Sequence, residues 1–253
     1  MKLLIDLGNS RLKWALWDGT QLRRGSTLNH VAAAASGAGS EVDFSALWKD
    51  VQPPLAIWIA SVASNALEQA VSHSLAEHFV CPIRLARSPA TACGVRNAYS
   101  APARLGIDRF LGLVAVHAQA HAATVVVSCG TALTLDAIGA DGVHLGGLIA
   151  PAPQLMRSAL LDHTARLGDL QSAQIVDFAD TTAAAVESGT WLAAVALVER
   201  FVARARAAFG TAPALVLSGG GAKRLAPLLE LEHRVEPDLV LRGLARFADG
   251  GGA

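Results

Sequence analysis

A stretch near the N-terminus of this chain comes back half a chain later, and that repeat constrains the fold more than any other feature. Lys2-Leu-Leu-Ile-Asp-Leu is a short apolar run that enters a Gly8-Asn9-Ser10 turn. Leu12, Trp14 and Leu16 then alternate with other residues, the period of a strand. Asp18-Gly19 signals a hairpin with a third strand to follow. Thr124-Val-Val-Val-Ser-Cys enters a Gly130-Thr131 turn in the same way, a second strand leaves it, and Asp141-Gly142 follows. At an offset of 122 residues, Gly8 falls on Gly130, Asn9 on Thr131 and Leu16 on Ile138. One extra residue in the second copy brings Asp18-Gly19 onto Asp141-Gly142. The offset is about half of the 253 residues, so we read a duplication of one supersecondary unit. Two unrelated hairpins with similar turns are the plainer alternative. The joint agreement of turn, strand lengths and second Asp-Gly favours duplication.

The remaining patterns alternate. Helices are expected over 31–51, 65–79, 104–119, 154–161, 182–209, 222–229 and 239–248, and strands over 56–61, 83–85 and 214–217. The Ala/Gly stretch 32–39 reads as a surface helix end and loop. This alternation predicts α/β layering. No Pro/Ser-rich linker separates the halves, which are expected over 1–113 and 114–253.

Composition removes several functions. With 21 basic and 21 acidic side chains there is no electrostatic footprint for nucleic acid or an acidic membrane. An apolar fraction of 52% is too high for a disordered chain. The most apolar stretch, 54–63, is far short of the roughly 20 residues a spanning helix needs. Asp6 interrupts the N-terminal apolar run, so no signal peptide is expected. Cys81, Cys93 and Cys129 are odd in number and form no CxxC, which points away from disulfides and metal and toward a reducing cytoplasm.

Three segments can carry chemistry. Asp6-Leu-Gly-Asn-Ser puts an acid at a strand end before a small polar turn. Backbone N–H groups there suit phosphate oxygens, and the carboxylate suits hydrated Mg²⁺. Lys13 adds a point charge. An Asx-turn closing a hairpin is the structural alternative. Ser218-Gly219-Gly220-Gly221 follows an apolar strand and opens a helix, so a ligand can approach its backbone, although a strand–helix turn often needs glycine anyway. Gly106-Ile107-Asp108-Arg109 opens a helical pattern. Asp108 is either a helix cap or a general base for a hydroxyl, with Arg109 holding an anionic substrate. Tyr99, the only tyrosine, lines a polar pocket or satisfies its own hydroxyl in the core. His117 and His121 read as helix-surface residues without a third metal ligand. Cys129 reads as an inert thiol at a buried strand end.

The ordered set of these segments resembles the type III pantothenate kinase family, within the acetate kinase/sugar kinase/Hsp70/actin fold group. It comprises Asp6-Leu-Gly-Asn-Ser, Asn97-Ala-Tyr99, Leu105-Gly-Ile-Asp-Arg109, Cys129-Gly-Thr-Ala-Leu-Thr, Gly146-Gly-Leu-Ile-Ala-Pro151, Thr182 with Ser188-Gly189, and Ser218-Gly-Gly. Some members have been called Bvg accessory factors. The resemblance implies two ribonuclease H-like (actin-like ATPase) α/β domains with a cleft between them, and ATP-dependent phosphorylation of pantothenate to 4'-phosphopantothenate, the first step toward coenzyme A.

Carried over by resemblance, Asp6, Gly8, Asn9, Ser10 and Lys13 form the nucleotide phosphate segment, with Asp6 a water-mediated Mg²⁺ residue. Thr131, Gly219 and Gly220 are further ATP contacts. Asp108 is the base. Tyr99, Gly106, Ile107, Asp108, Arg109 and Thr182 serve pantothenate. The family is a homodimer and uses a monovalent cation, K⁺ or NH₄⁺. The acid that binds this cation is replaced here by Ser128, and Ser10 stands for a commoner Thr. The alternatives are a catalytically silent regulator of transcription on the same fold, or a kinase of another small hydroxylated substrate.

Overall fold

The computed structural model describes residues 1–30, 43–164, 171 and 173–250. Two compact units emerge, Met1–Gln119 with Asp238–Ala253, and Ala120–Pro237. This differs from the expected division at 113/114, because the C-terminal segment belongs with the first unit.

In the first unit, β1 (Lys2–Leu7), β2 (Leu12–Trp17), β3 (Leu22–Leu28), β4 (Ala56–Ser61) and β5 (Ile83–Ala86) form one sheet in the order β3-β2-β1-β4-β5. β1 pairs antiparallel with β2 and parallel with β4. A central strand is covered on both faces, which is why Leu3, Leu4, Ile5 and Leu7 form a nearly unbroken apolar run. On one face lie α1 (Asn65–His78), through Val71 and Leu75, and the aromatic pair Phe44 and Trp48. Ser64 caps α1 by accepting from Leu67 N–H. β6 (Thr91–Ala92) and β7 (Val95–Arg96) form a small hairpin that the sequence reading did not include. A 3-10 turn at Pro102–Arg104 follows, so α2 runs over Ile107–Gln119 and starts three residues later than expected. The expected helix over 31–51 and the Ala/Gly stretch lie largely outside the described residues. Their described end holds a 3-10 turn at Ser45–Leu47.

In the second unit, β8 (Thr124–Cys129), β9 (Ala132–Ile138), β10 (His144–Pro151), β11 (Ala214–Ser218) and β12 (Arg234–Val235) repeat the order as β10-β9-β8-β11-β12, with the same parallel and antiparallel pairings. This common order is the structural counterpart of the sequence repeat. The register refines it. Trp17 pairs with Lys2 and Ile138 with Thr124, so Ile138 stands where Trp17 does, not Leu16. The cause is the turn: Gly8 N–H reaches Arg11 O, whereas Gly130 N–H reaches Ala132 O, one residue sooner. The shift is carried along the whole second strand, from Leu12 and Leu133 to Trp17 and Ile138, and the cross-strand pairing keeps each residue on its face. Helices α3 (Pro153–His163), α4 (Thr182–Phe209) and the short α5 (Ala222–Leu225) complete the unit. Trp191, Ala194 and Val198 of α4 share a core with Val125, Val127, Leu133, Leu135 and Leu215.

The last helix, α6 (Leu239–Asp249), explains the revised division. It packs with α2 on the second face of the first sheet, where Phe247 meets Trp58 and Phe110 edge-on. Lys2 donates to Ala248 O and pairs with Asp249, and Trp17 Nε1 also donates to Asp249. A Cβ at Gly243 would run into the Leu111 carbonyl of α2. Gly243→Ala is therefore expected to cost about 1–3 kcal/mol by forcing the helices apart, read as an earlier midpoint in urea at unchanged slope. An unchanged midpoint would contradict this packing. His117 is 6% exposed rather than on a surface, with its ring against Gly94 in the turn between β6 and β7; His121 lies beyond the end of α2.

Candidate active site

In the first unit the C-terminal end of β1 delivers Asp6, directly opposite Lys13 on β2. The turn between them closes through backbone, Gly8 N–H to Arg11 O at 3.0 Å, and His30 Nε2 is 3.0 Å from Gly8 O. Asn9 is exposed, and Ser10 and Lys13 are half-buried. Burial pushes the Asp6 carboxyl up to about 7; Lys13 opposes this, while Asp108 and Asp238 add to it by repulsion. Asp6, Lys13 and Asp108 are thus brought into one electrostatic neighbourhood.

Asp108 occupies the first turn of α2. Its Oδ1 accepts from Arg109 N–H at 2.9 Å, and the Gly106 carbonyl accepts from both Arg109 and Phe110 N–H. Any Cβ at Gly106 would lie 2.6 Å from that Oδ1, so glycine is what leaves the carboxylate its place. Arg109 is 8% exposed and donates from Nη1 to Tyr99 Oη at 3.0 Å, with its guanidinium 5.8 Å from the ring centre. Asn97 fixes the loop carrying Tyr99. Its Nδ2 donates to Pro89 O and Pro102 O, and its Oδ1 accepts from Tyr99 N–H. Ile107 is a core residue beneath this rim.

In the second unit, the turn after β8 carries Thr131, which is exposed. The Ser218–Gly221 turn lies against it: Gly221 N–H donates to Cys129 O at 2.8 Å. Gly219 has φ +86°, and a Cβ there would meet the Cys129 backbone. The glycines at 219 and 221 are thus needed for packing, whatever else the turn binds. Cys129 is fully buried and its thiol is pushed up to about 11, as an inert thiol requires. Ser128 pairs with Thr134 and Ser218, at the place in β8 that Asp6 holds in β1. Thr181, not Thr182, caps α4 by accepting from Ala184 N–H, and the exposed Thr182 follows it.

One residue was missed from sequence. Asp238 precedes α6 and reads there as an ordinary helix-start acid. In the fold it stands within Coulombic reach of Asp6, with Oδ2 3.1 Å from Arg24 Nε of β3 and Oδ1 buried without a hydrogen-bond partner among the described residues. No local signal marks it, because only the return of the C-terminal segment to the first unit brings it there. Among the described residues no three His, Cys, Asp or Glu side chains form a metal cluster. One or two hard carboxylate oxygens are what Mg²⁺ takes from a protein when phosphates and water supply the rest, so Asp6, with the orphaned Oδ1 of Asp238 in its Coulombic reach, fits that cation.

A family model described as type III pantothenate kinase matches residues 2–204. Type III pantothenate kinase of Nitrosococcus oceani is 38% identical over 98% of this chain and 94% of its own, and that of Xanthomonas euvesicatoria is 41% identical over 97% and 96%. Among solved structures, a conserved putative Baf family transcriptional activator from Campylobacter jejuni superposes with a TM-score of 0.62 at 20% identity, covering 99% of this chain and all of that one. A putative 2-dehydro-3-deoxygalactonokinase from Sinorhizobium meliloti gives 0.55 at 16% identity, covering 98% and 99%. At these identities the two structures establish a shared fold.

Proposed function

The chain belongs to the type III pantothenate kinase family, and from this premise we infer that it transfers the γ-phosphoryl group of ATP to the primary hydroxyl of pantothenate, giving 4'-phosphopantothenate in the first step of coenzyme A biosynthesis. The observation that best supports this is the neighbourhood of Asp6, Lys13 and Asp108, in which a nucleotide-side acid and lysine stand beside a carboxylate at a helix start.

Asp108 accepts the hydroxyl proton, so the oxygen that attacks phosphorus becomes nucleophilic as it moves. Arg109 and Tyr99 hold pantothenate, whose carboxylate suits a guanidinium already fixed by a phenol. Gly106 keeps a side chain away from Asp108, and Ile107 forms the apolar floor. Thr182, whose hydroxyl is not the helix cap, is a further pantothenate contact. Gly8, Asn9, Ser10 and Lys13 bind phosphate oxygens of ATP, and Thr131, Gly219 and Gly220 are nucleotide contacts of the second unit. When bound, Mg²⁺ supplies charge neutralisation on the β- and γ-phosphates, and Asp6 is the residue that would hold it, through water. The active protein is a cytoplasmic homodimer. Ser128 offers a neutral hydroxyl where a monovalent cation favours a carboxylate, so K⁺ or NH₄⁺ changes the rate little.

The test is ADP release, read directly by chromatography of the nucleotides, with and without pantothenate and with and without K⁺ or NH₄⁺. Pantothenate-dependent release that changes little with the cation is expected. Folded protein that makes no phosphopantothenate would sink the kinase reading in favour of a silent regulator, and a panel of other hydroxylated acceptors would expose a different substrate. Arg109→Lys gives a second check. Losing the planar, charge-assisted contact is expected to raise KM for pantothenate roughly 10–100-fold with KM for ATP unchanged. Equal changes in both constants would remove Arg109 from the pantothenate site.

A further inference from the structure

The position of Asp238 is unusual for a residue at a helix start. An Asp at an N-cap ordinarily accepts from the N–H groups of the first turn, yet the Asp238 side chain makes no such bond. Its carbonyl alone serves α6, accepting from Arg242 N–H at 2.9 Å. The carboxylate turns instead toward β3, where Oδ2 meets Arg24 Nε at 3.1 Å. The residue is 8% exposed, and Oδ1 is buried with no protein partner among the described residues. An ionised oxygen left in that condition costs free energy unless something binds it. The end of α6 meets Lys2 at the start of β1, and Asp238, before its first turn, lies within Coulombic reach of Asp6 on the same strand. Two carboxylates thus converge where the nucleotide phosphates are assigned.

We propose that Asp238 is a positioning residue for the divalent cation of ATP at Asp6: Oδ1 accepts a hydrogen bond from a water of that cation, while Arg24 holds the carboxylate by Oδ2. This rests on the assignment of Asp6 to the metal–nucleotide complex. Arg24 has a structural part only. Its side chain is 57% exposed, and it fixes the orientation of a group that one carboxylate oxygen alone would leave free to rotate. The arrangement resolves two observations at once, the unused cap and the buried unpartnered oxygen.

The experiment measures binding rather than turnover. The Mn²⁺ complex of a non-hydrolysable ATP analogue is titrated with protein and followed by the Mn²⁺ paramagnetic resonance signal, and the same analogue is titrated without metal by calorimetry. Asp238→Asn and Asp238→Ser both keep good N-cap chemistry, so either serves if the other fails to fold. Each is expected to weaken the Mn²⁺ complex by roughly 10–100-fold, as loss of an outer-shell partner does, with metal-free binding unchanged. Arg24→Gln is expected to weaken it by no more than about threefold, since the carboxylate stays. Wild-type affinity in the Asp238 variants would overturn the proposal. So would an Arg24→Gln loss as large as theirs, because the ion pair would then be the acting element. These outcomes are distinct from failure of the kinase reading, which would appear as wild-type protein that neither binds the Mn²⁺ complex nor phosphorylates pantothenate.

Discussion

Asp108→Asn is expected to lower kcat for pantothenate phosphorylation by about 10²–10⁴-fold, the range that a positioned base contributes. Asn keeps the size of the side chain and an oxygen able to accept from Arg109 N–H, as Asp108 Oδ1 does at 2.9 Å, so the start of α2 survives. The lost property is proton acceptance. KM for ATP should move by less than about threefold, because the nucleotide contacts proposed in the first unit lie on the Asp6–Lys13 hairpin and not on α2. Steady-state rates with melting curves on the same samples make the check. Near-normal kcat in a well-folded variant would return Asp108 to the role of a helix-end residue and leave the reaction without its base.

Asp6→Asn is expected to separate activity from stability. Activity should fall about 10²–10³-fold, the usual loss when one preorganised electrostatic element at a transferring group is removed. Stability without metal should rise at alkaline pH. The folded-state pKa of Asp6 is about 7, above its usual 3.8, with burial the main cause and repulsion from Asp108 and Asp238 secondary. The folded chain therefore keeps a proton that the unfolded chain releases near pH 4. Unfolding becomes easier as pH rises from about 4 to about 7, and the penalty is complete above that. Asn is neutral throughout. In EDTA the variant should melt above the wild type at pH 8, and the two should converge near pH 4. Equal melting temperatures at pH 8 would show that Asp6 carries no such penalty. Under the proposed role of Asp6, this is a site held against its own stability for the sake of the charge it offers a ligand.

The outline of both proposed catalytic segments was open to sequence reasoning because each depends on neighbours in the chain. Asp6 lies two residues before its turn glycine, and the turn closes through local backbone. Asp108 sits two residues after Gly106, and the steric reason for that glycine is the carboxylate itself. Helix α4 matched its expected bounds of 182–209 because a Thr cap and a Gly stop mark its ends, Gly210 being left-handed with φ +69°. Local pattern was less informative where a helix has no solvent face. The spacing of His117 and His121 suggests a surface pair, yet His117 is buried, with its ring against the turn at Gly94.

Sequence periodicity and the 122-residue repeat by themselves determined the α/β class, the duplicated unit and the two Gly turns, since strand alternation and turn chemistry are written into consecutive residues. Tertiary structure alone decided the register, in which a turn one residue shorter puts Ile138 at the place of Trp17. It also decided where the chain's end belongs. Gly243 lets α6 close onto Leu111, and that contact carries Asp238 back across more than 230 residues of sequence to Asp6. No local pattern encodes such a meeting, because its cause is the fit of one helix against another.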